Sequence, residues 1–362
     1  MIDEIIKQLQ PKIKGKLIYL SQYGSHLYGL NTENSDLDFR GVYIPALDDI
    51  ILKKDKDEIN EELEVEEECY EEVNKVINGF PLKGVVKVKK VKVDVKIFSL
   101  QKFIQLCSKA DTNALDLLFS WRCGHVEQYI TKTGSNIDCN DFSYVQMYRN
   151  KLINTHRLES PVKYAFKQAT KYSIKGNYVR LLDCLIALSE QLIVQNVEEF
   201  TNCIHELLVT EADKLFVIRK GTKETGGSLK YLSVLGVEHQ FNLSIQEFSE
   251  RLKRKRAEYS RRSVEAKEQD GNDWKALSHA VRVLLEIQEL LETGNIQFPL
   301  HHKDFLLDIK LGKVKREVID EYFKEHLSGI MECMEQNTLN WKYDEEFWNE
   351  FIIKEIKNDK QL

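Results

Sequence analysis

From Tyr19 to Ile44 the chain reads YLSQYGSHLYGLNTENSDLDFRGVYI, and few folds accept that order of residues. An alternating apolar segment breaks at Gly24-Ser25, turns through Asn31 to Ser35, and resumes as a second alternating segment that carries Asp36 and Asp38. Two strands around a phosphate-sized turn are expected. Residues two apart in an extended segment share a face, so Asp36, Asp38 and Arg40 point one way and Leu37 and Phe39 the other. Carboxylates on neighbouring same-face positions repel each other unless a cation sits between them, which makes Asp36-Leu37-Asp38 a cradle for a divalent metal. Gly24 lets backbone N–H groups come close to a phosphate, and the Ser25 hydroxyl adds a donor.

Gly24-Ser25, a gap of ten residues and then Asp36-Leu37-Asp38 resembles the signature of the DNA polymerase beta nucleotidyltransferase superfamily. The fuller string GSHLYGL...SDLDFRGVYIP resembles the branch of that superfamily linked to RNA repair. Read without the resemblance, the same residues also suit a solvated acidic strand. The resemblance implies a third carboxylate on a strand beside the Asp-x-Asp strand. Lys83 to Phe98 is such a strand: Val91, Val93, Val95 and Ile97 alternate with Lys90, Lys92, Asp94 and Lys96, and Asp94 stands in the implied place. The competing reading makes Asp94 a cross-strand partner of lysines on a solvated face. The following SLQKFIQLCSKADTNALDLLFS resembles the family's helix pair, and KALSHAVRVLLEIQELLETGNIQFPL, near the C-terminus, again resembles the RNA-repair branch. The resemblance spans roughly residues 16 to 122 and 272 to 312, and the middle matches poorly.

By that resemblance, Asp36, Asp38 and Asp94 are the catalytic and metal-binding residues, holding two Mg²⁺ ions, with Mn²⁺ as a substitute. Gly24, Ser25 and Arg40 would contact the phosphates of an NTP. An acceptor hydroxyl, with an RNA 3′ end favoured, would attack the α-phosphate and release pyrophosphate. Neither a Walker A pattern nor Gly-x-Gly-x-x-Gly occurs in the chain.

A length of 362 residues with net charge -6 allows two domains but gives no global pull toward nucleic acid, so any such binding needs local basic patches. No apolar run reaches a membrane span, and the N-terminus lacks a signal-peptide core. Seven cysteines without a Cys-x-x-Cys pair suit reduced thiols and a cytoplasmic location. A short helix is expected at 2–10, ended by Pro11. Residues 53–75 hold eleven acidic side chains and four lysines, and read as a solvated insertion. Helical spacing begins at Ser99. The polar stretch 123–142 marks a boundary between a catalytic domain, 1–125, and a helical domain, 126–362. Helices are expected near 144–158, 161–175, 178–197, 244–267, 273–293 and 315–335. The expected class is therefore α+β: a nucleotidyltransferase mixed sheet with covering helices, then an all-helical domain for nucleotide and acceptor, with the active site in the cleft between.

Lys163, Lys167, Lys171 and Lys175 form a basic stripe, near Tyr164, Phe166 and Tyr172. A solvated lysine face is the simpler reading, whereas the resemblance implies that Lys163 and Lys167 meet the nucleotide. Seven of the twelve residues in RLKRKRAEYSRR, 251–262, are basic; such a run is usually a solvated helix face, but as the densest positive patch of a net-negative chain it makes Lys253, Arg254 and Arg256 the best candidates for a polynucleotide track. Lys275, His279 and Arg282 share one helical stripe and are candidate phosphate contacts. Two other functions stay open. Transfer to a protein or small molecule needs the same carboxylates without a long basic track, and a non-catalytic nucleic-acid-binding module would leave the three aspartates dispensable.

Overall fold

The computed structural model describes residues 1–33, 35–71, 75–77, 80–82, 85–121, 123–130, 141–172, 174–221, 228–269, 271–336 and 339–358. It divides into two compact units, Met1–Phe166 with Ser278–Leu362, and Lys167–Leu277.

The first unit begins with α1 (Ile2–Leu9), whose first turn is acidic and last turn basic, as the helix dipole favours. Next come β1 (Gly15–Tyr23), α2 (Ser25–Tyr28), β2 (Leu37–Pro45) and α3 (Leu47–Ile51). β3 (Glu58–Glu71) follows, and it corrects the expectation of a solvated insertion at 53–75. Ile59, Leu63 and Val65 alternate with the acidic residues and are buried in the core. The negative charge is matched across the strand pair by the lysines of β6 (Val85–Ser99): Lys92 Nζ lies 2.7 Å from Glu62 and Lys96 Nζ 2.6 Å from Glu58. Between them lies a small hairpin, β4 (Lys75–Ile77) and β5 (Phe80–Leu82). The sequence pattern conceals β3 because complementary charge lies some thirty residues away.

Ser99 caps α4 (Leu100–Ser108), and Asp111 caps α5 (Thr112–Phe119), each accepting a bond from an otherwise unsatisfied helical N–H. β7 (Gln128–Ile130) completes a five-stranded sheet in the order β3-β6-β2-β1-β7. β2 and β6 are parallel, and every other neighbouring pair is antiparallel. One face carries Leu20, Phe39, Leu63, Val93 and Val95, packed with Ile5 and Leu9 of α1. The other face is covered over only part of its length. Tyr19, Val42 and Phe98 are buried there, Tyr19 stacking on Phe142 of α6 (Asp141–Met147), whereas Asp38 and Asp94, earlier on the same strands, are not buried. α7 (Glu159–Lys167) follows.

The second unit contains α8 (Lys175–Gln191), α9 (Val197–Cys203) and α10 (His205–Thr210), then β8 (Leu215–Gly221), β9 (Ser228–Val234) and β10 (Val237–Gln240), then α11 (Ile245–Ala257) and α12 (Arg261–Lys267). The α+β class holds, but this later region is not all-helical, since β8–β10 form an antiparallel sheet. In β8 only Leu215 is buried, and Phe216 and Val217 are each 40% exposed, so no two-residue alternation betrays the strand. The helix expected at 244–267 is broken at Ser260, whose side chain caps α12.

The chain returns through α13 (Trp274–Thr293), α14 (Lys303–Lys310), α15 (Arg316–Gln336) and α16 (Glu345–Asn358). Gly294, with φ +70°, ends α13 in the left-handed conformation expected of a helix stop. Among the described residues no helix is long and apolar enough to cross a membrane.

Candidate active site

Strand pairing assembles the carboxylates. Asp38 of β2 and Asp94 of β6 are register partners, so they sit side by side on one face of neighbouring parallel strands, whose backbones run about 4.8 Å apart. Asp36 lies exposed just before β2. On the outer side Glu62 of β3 is in register with Asp94, and on the inner side Tyr23 of β1 is in register with Asp38. Lys92 and Lys96, which flank Asp94, make ion pairs with Glu62 and Glu58. Asp94 is exposed, and Lys92 feels its charge only as a minor contribution after Glu62.

Gly24 brings the turn against this row. Its φ of +66° and ψ of −139° are open to glycine and strained for other residues, and a Cβ built there would stand 2.5 Å from Asp38 Oδ2. The turn backbone thus lies against the carboxylate, and Ser25 begins α2 at the same point. Arg40, two residues beyond Asp38 on the same face, places its guanidinium 5.2 Å from the centre of the Tyr23 ring and donates to the Phe39 carbonyl at 3.2 Å.

All three aspartates offer hard oxygen donors, which suit Mg²⁺ or Mn²⁺. Two of them, Asp38 and Asp94, are in register. The donor set suits a divalent cation in chemistry, while Asp36 lies outside the strand pairing that brings Asp38 beside Asp94. No three His, Cys, Asp or Glu side chains among the described residues converge closely enough to enclose an ion.

The basic candidates are more dispersed. Lys163 is exposed and held by Glu159 at 2.6 Å, and Lys167, at the end of α7, is exposed. On α11, Lys253 lies 3.1 Å from Glu190 and 3.0 Å from Glu250, Arg256 lies 2.6 Å from Asp183, and Arg254 donates to the Glu250 carbonyl. Lys275 is exposed and His279 half-buried. Arg282 is placed otherwise than the sequence suggested. It is 4% exposed, too deep to meet a polynucleotide backbone, and its Nη1 donates to Asp116 Oδ2 at 3.0 Å and to Glu286 Oε1 at 2.6 Å. Asp116 and the Tyr28 ring cover the stripe at Arg282, whereas Lys275 on the same stripe stays exposed.

Sequence reasoning misses this buried cluster. Asp116 also accepts bonds from the hydroxyls of Tyr28 at 2.6 Å and Tyr23 at 3.0 Å. Burial pushes both phenols well above their ordinary range, so they remain donors. Burial also raises the Glu286 carboxyl well above the usual range, more than Arg282 lowers it, with Asp116 adding repulsion. Burial works against the Arg282 charge, but the carboxyl groups beside it, Glu286 and then Asp116, outweigh it and keep the guanidinium protonated. The available signal is a single aspartate inside the apolar run Ala114–Phe119.

Residues 1–132 match the model of a family described as the RNA repair pathway DNA polymerase beta family. Over 353 residues, covering 93% of this chain and 96% of the relative, the chain is 28% identical to an uncharacterized 38.9 kDa protein encoded in the nrdC-mobD intergenic region of Enterobacteria phage T4. The similarity therefore runs through both units.

Proposed function

We propose that this protein transfers a nucleoside monophosphate from an NTP to an acceptor hydroxyl, with an RNA 3′ end as the acceptor. The register of Asp38 with Asp94, with Gly24 packed on Asp38, is the observation that carries the reading. The acceptor oxygen bonds to the α-phosphorus, the bond from that phosphorus to the bridging oxygen breaks, pyrophosphate leaves and the hydroxyl proton is released. Asp36 and Asp38 would hold a divalent cation against the triphosphate, and Asp94 with Asp38 a second one beside the acceptor; such ions supply charge neutralisation and lower the pKa of the attacking hydroxyl. The Gly24 N–H and the Ser25 hydroxyl donate to the outer phosphates, and Arg40, on the same strand face, offsets developing negative charge. Lys163 and Lys167 serve the nucleotide, while Lys253, Arg254, Arg256, Lys275 and His279 serve the acceptor backbone. Asp36→Ala and Asp38→Ala should each abolish transfer from labelled NTPs while leaving the circular dichroism spectrum and melting temperature near those of the wild type. Near-normal transfer in either variant would sink the assignment.

The ion pairs that occupy Lys253 and Arg256 favour a second reading, transfer to a protein or small-molecule hydroxyl. Offering the enzyme RNA 3′ ends, proteins and small alcohols side by side, with each NTP in turn, separates the two.

A further inference from the structure

The glycine-serine turn has little to hold it locally. α2 is four residues long, and a helix of that length has no stability of its own. Its placement must come from outside, and the buried cluster supplies it. Asp116 Oδ2 accepts the hydroxyls of Tyr23 and Tyr28, the residue immediately before Gly24 and the last residue of α2. One carboxylate oxygen therefore grips both sides of Gly24–Leu27. Arg282 completes the grip, donating to the same oxygen and lying 3.9 Å over the centre of the Tyr28 ring, and Glu286 fixes the guanidinium from one turn along α13.

Backbone contacts converge on the same short segment. Leu300 N donates to the Tyr28 carbonyl at 3.3 Å, His125 Nε2 to the Leu27 carbonyl at 2.9 Å, and Lys310 Nζ to the Leu30 carbonyl at 2.8 Å. All these residues belong to the first unit. Ionised groups buried to this degree carry a large desolvation cost, and apolar residues of similar volume often stabilise a core as well. What such residues would not provide is a directional hold on two phenols at once.

We infer that Arg282, acting through Asp116 and the hydroxyls of Tyr23 and Tyr28, is a positioning residue that fixes the Gly24-Ser25 turn against Asp38. The consequence for nucleotide binding rests on the nucleotidyltransferase reading; the hold on the turn does not. Removing the grip should let the turn swing while the carboxylates, anchored by strand pairing, keep their places.

The test uses the full chain with Tyr23→Phe/Tyr28→Phe, Arg282→Lys and Arg282→Met, read by amide hydrogen exchange, melting temperature and affinity for a fluorescent ATP analogue. In the double phenylalanine variant, exchange should quicken at least tenfold in the segment 24–30 and stay unchanged in β2 and β6, with nucleotide affinity falling tenfold or more. Arg282→Lys, which keeps a cation beside Asp116, should recover part of what Arg282→Met loses. Wild-type exchange at 24–30 in the double variant overturns the inference. So does faster exchange spread evenly over the first unit with no partial recovery in Arg282→Lys, which would make the cluster a general structural support. A wild-type protein that binds no nucleotide overturns the nucleotidyltransferase reading instead, and the exchange pattern then decides the hold on the turn by itself.

Discussion

Replacing Gly24 by alanine perturbs the site through one methyl group. The new Cβ would lie 2.5 Å from Asp38 Oδ2, where ordinary contact begins near 3.4 Å. The oxygen must therefore retreat by about 0.9 Å, the difference between those two distances. Because Oδ2 is the tip of a side chain, rotation of Asp38 relieves the clash without moving the strand. The stability cost then comes mainly from forcing alanine into a backbone region reserved for glycine, about 1–3 kcal/mol, which lowers the melting temperature by on the order of 1–2 °C per kcal/mol in a protein of this size. Activity should suffer far more, since a misplacement of about 1 Å at a reacting centre costs roughly a hundredfold in rate. Single-turnover transfer from a labelled NTP, alongside thermal unfolding, measures both quantities on the same sample. A variant that melts within the expected range and transfers within about threefold of the wild type would refute the placement of Asp38 in the reacting centre, because the rate estimate assumes that a shift of about 1 Å matters.

Asp94→Asn keeps the shape of the side chain and removes its charge, so it should retain NTP binding yet lose transfer; a loss confined to a surface interaction worth about 0–1 kcal/mol would leave turnover intact. Alanine at Lys253, Arg254 and Arg256 together should lower the slope of log affinity against log salt for single-stranded RNA by about 0.7 for each phosphate no longer neutralised, and an unchanged slope in a filter-binding titration would leave the run as ion-paired helix surface. His239 is buried, and burial, assisted by Arg251, lowers its pKa to about 4. The unfolded chain, titrating near 6.5, takes up a proton that the folded protein refuses, so stability is complete above about pH 6.5 and declines as pH falls toward 4. Melting temperature across that window should depend on pH less steeply in His239→Phe than in the wild type.

Features that arise from neighbouring residues were legible in one dimension. The alternation of 19–23 and 37–44, the Val/Lys alternation of 91–97 and the start of α4 at Ser99 could be read because strand period and helix capping are local. The string Gly24-Ser25 with Asp36-Leu37-Asp38 could be read off directly, but only Asp38 lies within β2, and Asp36 falls just before it. Long-range packing set everything else. That Asp38 meets Asp94 and no other residue of β6 depends on the register of two strands some fifty residues apart, which no local pattern fixes. The acidic run became β3 because its charge is matched by lysines across the sheet. Helical spacing placed Arg282 beside His279 correctly, but periodicity says only which residues share a stripe, and what packs against that stripe is chosen by the rest of the fold. Here Asp116, Tyr23 and Tyr28 come from three other elements to meet it, and a guanidinium that reads as a surface cation in one dimension is buried against the turn in three.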